Sequence, residues 1–408
     1  MNQKSENLKS LETQLNELLD ESPDSVIHRE QTTFDQLAEP FSDKIVLFGA
    51  GNLGRKTLAG LRKAGVEPLS FADNNPKIWN TSIDGLQVLS PQDAANKFGR
   101  TAAFVVTIWR ANGGDRQADR RKQLIDLNCT HVISFGFLYW KYASVFLPHA
   151  CLELPSKFRQ HTEELRKLFY MWADDESRRE YLSQLRFRIR LDFDGLASPV
   201  SHKQYFPDDL YSILPGDVFI DCGAYNGDTI HELLQHQKFF SGKILAFEPD
   251  QKNFQKLQDY ISTLPEQIRK NVIAKQVPVG TCGQIVHFVS TGTVASRVTE
   301  DGDMEMNCVC IDQQIIDYQP SFIKMDIEGA EIDALNGARE AIQRSRPILA
   351  ICVYHKPDHL WKIPILISTL SDDYRFFLRP HDEEGWDLVC YAIPPERLLN
   401  KPKSSHDG

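Results

Sequence analysis

Long apolar runs are missing from this 408-residue sequence. No window reaches the ~18 apolar residues that a membrane-spanning helix needs, so no membrane partner is expected. The N-terminal stretch is polar and has no apolar centre of the kind a secretory signal carries. Clustered positive charge is also missing: 46 Lys and Arg stand against 56 Asp and Glu, a net charge of −10. Phosphate recognition wants basic clusters, so no nucleic-acid partner is expected. Paired cysteines are scarce too. Of eight cysteines only Cys308 and Cys310 lie close, as Cys-Val-Cys, which is not a zinc-type spacing. On a strand, residues two apart face one side, so these read as two buried thiols of a reduced, cytoplasmic protein. Internal repeats and low-complexity segments are absent.

What remains is ordinary for a globular chain, with 41% hydrophobic and 25% charged residues. The length suggests two domains. Residues 1–40 carry Leu8, Leu11, Leu15, Leu18 and Leu19 at helical spacing. Their apolar stripe packs on the chain's own surface or on a second copy in a homo-oligomer. Residues 41–150 alternate strand and helix: Lys44–Phe48, Pro68–Asp73, Thr101–Trp109 and His131–Leu138 are apolar runs with helical stretches between them. That order predicts a parallel sheet. Residues 151–210 are charged and helical in period, with Arg186, Arg188 and Arg190 near one end. They read as a helical connector, or as a cap over the next domain. Residues 211–400 repeat the alternation, with strands expected at 218–221, 244–247, 272–277, 322–326 and 348–354. Short strands are expected at 286–289 and 308–311. A final pair, 374–378 and 386–393, is joined by a polar turn and should close one edge antiparallel. The fold class is α/β, two Rossmann-like three-layer units, the second with a reversed strand at its edge.

Both units carry a glycine turn after their first strand. In the first, Gly49, Gly51 and Gly54 match the dinucleotide fingerprint, and Asp73 follows at the spacing of a ribose-binding acid. NAD or another nucleotide is the ligand that pattern would take. The unit is short, however, and shows no second mononucleotide half.

In the second unit the turn is Asp221-Cys-Gly-Ala-Tyr-Asn-Gly227. Gly223 and Gly227 permit close backbone approach, with Ala224, Tyr225 and Asn226 between them. Glu248-Pro249 ends the next strand, where a carboxylate can accept both hydroxyls of a ribose. Val279-Gly280 ends the third. Open α/β sheets bind ligands at the carboxyl ends of their strands. A looser glycine turn, an acid at the second strand and no need for pyrophosphate fit S-adenosylmethionine (SAM), with Asp221 meeting its amino group. The fourth strand ends in Asp326 and Glu328, and His355 follows the fifth. These three are the candidates to position a hydroxyl acceptor and take its proton. Two carboxylates and a histidine could also hold a divalent cation, but our reading assigns no metal.

Asp221-Cys-Gly-Ala-Tyr-Asn-Gly-Asp228, Ala246-Phe-Glu-Pro-Asp250, Ile323-Lys-Met-Asp-Ile-Glu-Gly-Ala-Glu331 with Leu335-Asn-Gly-Ala338, and Pro347 to His355 resemble the FkbM-type methyltransferases. The resemblance spans about residues 205–394. It implies a class I methyltransferase sheet, SAM as cofactor and methyl transfer to oxygen on a sugar, glycan or secondary metabolite. Many members have Ala-Asn after the first glycine where this chain has Ala224-Tyr225. Two other functions fit parts of the chain. One is an NAD-linked oxidoreductase or nucleotide-sugar enzyme that uses the first sheet. The other is a non-catalytic SAM- or nucleotide-binding protein.

Overall fold

The computed structural model describes residues 2–109, 116–199, 203–289, 297–298 and 304–399. Contacts divide the chain into two compact units. One holds Met1–Lys167, Arg178–Pro199 and Asp382–Trp386; the other holds Leu168–Ser177, Val200–His381 and Asp387–Gly408. The stretch 151–210 therefore contributes to both.

The first unit is built on six strands: β1 (Ile45–Phe48), β2 (Ser70–Ala72), β3 (Ser82–Ile83), β4 (Leu86–Leu89), β5 (Ala103–Val106) and β6 (His131–Ser134). Their order is β3-β4-β2-β1-β5-β6. All neighbours are parallel except the short β3–β4 pair. Strands β1 and β5 are buried at every position, as strands covered on both faces must be. The sequence reading missed the small pair, in which β3 is only two residues long and β4 is buried except at Gln87. It also ran the last strand too far. The chain turns helical at Phe135–Lys141, and buried Phe135, Leu138 and Tyr139 follow helical spacing rather than alternation. The helix Asn2–Leu19 buries Leu11, Leu15, Leu18 and Leu19 within the same chain.

The second unit holds a seven-stranded sheet: β7 (Phe219–Cys222), β8 (Ile244–Phe247), β9 (Val272–Lys275), β13 (Phe322–Met325), β14 (Ile348–Cys352), β15 (Arg375–Pro380) and β16 (Leu388–Ile393). The order is β15-β16-β14-β13-β7-β8-β9. Strand β16 runs antiparallel to both β14 and β15, and the other pairs are parallel. The hairpin closes the edge as expected, with the reversed strand one place in from it. Between β9 and β13, strands β10 (Ile285–Val289), β11 (Arg297–Val298) and β12 (Met304–Asn307) form a separate antiparallel sheet.

Two local expectations are corrected here. The strand expected at 308–311 lies earlier, at β12, and Ile311–Gln314 is a helical turn. The pair of thiols is also split. Cys308 is a buried free thiol, whereas Cys310 is disulfide-bonded to Cys282. The cause is backbone pairing that sequence distance hides. Gly280 donates to the Val309 carbonyl and Val309 to the Pro278 carbonyl, which brings Cys282 and Cys310 to 4.8 Å between Cα atoms. The helical stretch 331–345 breaks at Gly337 into Glu331–Asn336 and Arg339–Ser345. A Cβ at Gly337 would lie 2.2 Å from the Gly280 carbonyl oxygen, so close packing sets the break.

Candidate functional site

Strand β7 delivers the glycine turn to the carboxyl edge of the second sheet. Gly223 has φ +85°, and a Cβ there would lie 1.9 Å from the Asp326 carbonyl oxygen. Only glycine lets this turn pass so close to the end of β13. Gly227, at φ +90°, then starts the helix Asp228–His236. The turn is fastened from the next strand. Phe247 O accepts from the Gly223 and Ala224 amides at 2.9 and 3.0 Å. Glu248 Oε2 accepts from the Tyr225 amide and Oε1 from the Asp250 amide, both at 2.9 Å. Each carboxylate oxygen can accept further bonds, so Glu248 can fasten the turn and still receive ligand hydroxyls. Burial pushes its carboxyl up to about 7, against the pull of the two amides.

Strand β13 brings the second half of the site. Its register sets Lys324 opposite Asp221 of β7. Lys324 Nζ lies 3.0 Å from Asp221 Oδ1 and donates to the Gly223 carbonyl at 2.6 Å. Burial works to lower the lysine, but Asp221, Asp326 and Asp228 outweigh it and hold it charged. Burial likewise pushes the Asp221 carboxyl up, with Lys324 opposing. Asp326 follows at the strand end. Its Oδ2 accepts from the Tyr205 hydroxyl at 2.8 Å, and its Oδ1 lies 3.4 Å from the Tyr354 hydroxyl and 3.2 Å from His355 Nε2. Burial would raise this carboxyl, yet His355 and Lys324 bring it down to about 2. Glu328 sits at φ +54° beside Gly329 at φ +101°, so the loop makes a left-handed turn just past the strand.

These pieces surround a cavity of about 210 Å³. Seven expected residues line it: Gly223, Tyr225, Glu248, Pro249, Val279, Asp326 and Glu328. Six others are not among its lining residues: Asp221, Ala224, Asn226, Gly227, Gly280 and His355. Asp221, expected to meet the amino group, is fully buried and pairs with Lys324. Lining residues that sequence reasoning left without a role are Gln204, Asp228, Thr229, Glu232, Asn253, Lys324 and Ile327. Lys324 had a legible signal, since a lysine inside the apolar run Phe322–Met325 must find a buried counter-charge. Tyr205 both lines the cavity and donates to Asp326.

The turn in the first unit is built alike. Gly49 has φ +115°, and a Cβ at Gly54 would lie 1.9 Å from the Gly49 carbonyl oxygen. The expected ribose acid, Asp73, accepts from the Ala50 amide at 2.7 Å and the Asn75 amide at 2.8 Å, which closes its own turn. Nothing lies within 4 Å of a Cβ at Gly51. Among the described residues, no group of three or more His, Cys, Asp or Glu is arranged to hold a metal ion. No helix there is long and apolar enough to cross a membrane.

Comparison with known proteins supplies the context. Residues 221–383 match the family model described as the methyltransferase FkbM domain. The crystal structure of methyltransferase FkbM from Methylobacillus flagellatus KT superposes at a TM-score of 0.74 and 21% identity, covering 95% of this chain and 99% of that one. At that identity the likeness establishes the fold, and it extends over both units. A precorrin-6y C5,15-methyltransferase from Geobacter metallireducens GS-15 aligns at 14% identity over 44% of this chain and 82% of its own, with a TM-score of 0.27. UDP-D-quinovosamine 4-dehydrogenase from Vibrio fischeri aligns at 23% identity over 22% and 74%, with a TM-score of 0.17. Scores that low add nothing to the assignment. No curated protein matches the sequence.

Proposed function

We propose, because residues 221–383 match the model of the methyltransferase FkbM domain, that the chain transfers a methyl group from SAM to a hydroxyl of a sugar, glycan or secondary metabolite. The observation that carries this reading is that Gly223, Glu248, Asp326 and Glu328 line one cavity. The residues present fit the cofactor. Glu248 offers a buried carboxylate with lone pairs left over for two ribose hydroxyls. Gly223 and Tyr225 line the part of the cavity where the methionine portion would lie, and Val277, Pro278 and Val279 supply an apolar wall for the base. Bound SAM supplies an electrophilic methyl on a sulfonium.

The chain's own task is then positioning and proton management. Asp326, pinned by Tyr205 and His355, presents a fixed anion at the reacting end. The carbon–oxygen bond forms as the carbon–sulfur bond breaks. The acceptor's proton leaves to a carboxylate that lines the cavity. A small-molecule or glycan acceptor also suits a chain of net charge −10 better than a nucleic acid does. Incubation with SAM and hydroxylated acceptors should yield a product heavier by about 14 Da, and Gly223→Val should abolish it. Absence of SAM or S-adenosylhomocysteine binding at millimolar concentration would refute the proposal.

A further inference from the structure

Behind the cavity lies a cluster of ionisable groups that the reaction as stated leaves unexplained. His355 is only 5% exposed and does not line the cavity. Its Nε2 lies 3.2 Å from Asp326 Oδ1 and 3.9 Å from Glu328 Oε1, while its Nδ1 lies 2.8 Å from Glu331 Oε1. Both ring nitrogens therefore face carboxylates, Nδ1 in a hydrogen bond and Nε2 at ion-pair distance without hydrogen-bond alignment. A neutral imidazole has a single N–H and can serve one of them, whereas the imidazolium serves both.

Glu331 makes that arrangement rigid. It opens the helix Glu331–Asn336 and is wholly buried. Besides His355, its Oε1 accepts from the Ile327 amide at 3.0 Å and the Gly329 amide at 3.4 Å. One oxygen thus ties the ring to the loop that carries Asp326 and Glu328. The other oxygen, Oε2, lies 3.2 Å from Nδ1 of buried His359, an ion-pair distance without hydrogen-bond alignment. A carboxylate enclosed this way persists only with cationic or donor partners.

We infer that Glu331 is a positioning residue of the methyl-transfer site, holding His355 as a fixed imidazolium that orients Asp326 toward the acceptor. This rests on the cavity being the SAM site proposed above. It removes His355 from the candidates for proton acceptor, since an imidazolium has no lone pair to offer. The proton then falls to the carboxylates of the cavity wall. The groups facing His355 agree. Asp326 and Glu328 come from the loop after β13, Glu331 from the following helix and His359 from the helix His359–Leu370. Tyr354 is its chain neighbour, with ring centroids 4.1 Å apart, and Lys356 lies against Gly329. Burial works to lower the ring's proton affinity, but Glu331, Asp326 and Glu328 outweigh it and hold it well above the ordinary range. Burial likewise works to raise Glu331, and His355 and His359 outweigh that.

The test is nitrogen NMR on the full-length protein with labelled histidine and no ligand, the His355 signal being assigned by its loss in His355→Gln. Wild type should keep two protonated ring nitrogens at a pH above the ordinary imidazole midpoint of ~6.5. Glu331→Gln should weaken proton binding at His355 about tenfold or more and lower kcat more than it raises KM for SAM. Glu331→Asp should restore part of both. A wild-type His355 that titrates near ~6.5, or a titration that Glu331→Gln leaves in place, overturns the inference. If Glu331→Gln does not fold, the wild-type titration decides alone. SAM binding with a neutral His355 defeats this inference and spares the proposed function. A charged His355 in a chain that binds no SAM defeats the role in methyl transfer together with that function.

Discussion

At the scale of single residues, two buried charges dominate the behaviour of the site. Glu248 must be ionised to accept ribose hydroxyls with full strength, and its carboxyl sits at about 7. Its protonated fraction falls as pH rises through that value, so SAM affinity should rise about tenfold between pH 6 and pH 8. Glu248→Gln should flatten this dependence, and titration calorimetry at several pH values checks it. The second charge is Lys324. Lys324→Met would strand Asp221 in a dry interior and should cost about 3–5 kcal/mol in urea unfolding. Adding Asp221→Asn should return a large part of that loss, because a neutral amide is far cheaper to bury than a lone carboxylate. Glu248 was legible from the sequence as an acid after a strand. The Lys324–Asp221 pair was not, because strand register is what sets the two side by side.

At the scale of elements, the glycine turn after β7 does more than leave room for a ligand. Its two glycines meet different obstacles. A Cβ at Gly223 would strike the Asp326 carbonyl at 1.9 Å, and one at Gly227 would strike the Tyr260 ring at 2.5 Å. A carbonyl on a sheet strand cannot yield, whereas a ring can tilt. Gly223→Ala should therefore lower the melting temperature more than Gly227→Ala, and it should also cut SAM binding by displacing Asp326. The segment between β9 and β13 behaves as another element. Peptide mapping without reductant should recover Cys282 and Cys310 in one linked species and the other six cysteines as free thiols. Strand and helix order here was readable from periodicity. The disulfide and the helix break at Gly337 were not. Each depends on which distant backbone lies alongside, and an apolar run alone does not say so.

At the scale of the whole molecule, two sheets of like design carry the same device. In each, an acid at the second strand's end accepts the amide of the preceding glycine turn and an amide two residues beyond itself: Asp73 with Ala50 and Asn75, Glu248 with Tyr225 and Asp250. The stricter dinucleotide pattern belongs to the first sheet, yet the cavity lined by catalytic-type residues belongs to the second. Architecture was therefore legible in both halves, while the choice between them came from neighbours of the turn: Glu248, Asp326, Glu328 and the reversed strand β16. The central claim is that SAM binds at the second turn and not the first. Titration calorimetry on wild type, Glu248→Ala and Gly51→Val tests it directly. Space around Gly51 is open, so the valine should block a ligand there while sparing the fold. The account predicts one SAM site per chain, lost in Glu248→Ala and unchanged in Gly51→Val. Binding that survives Glu248→Ala and disappears in Gly51→Val would contradict it.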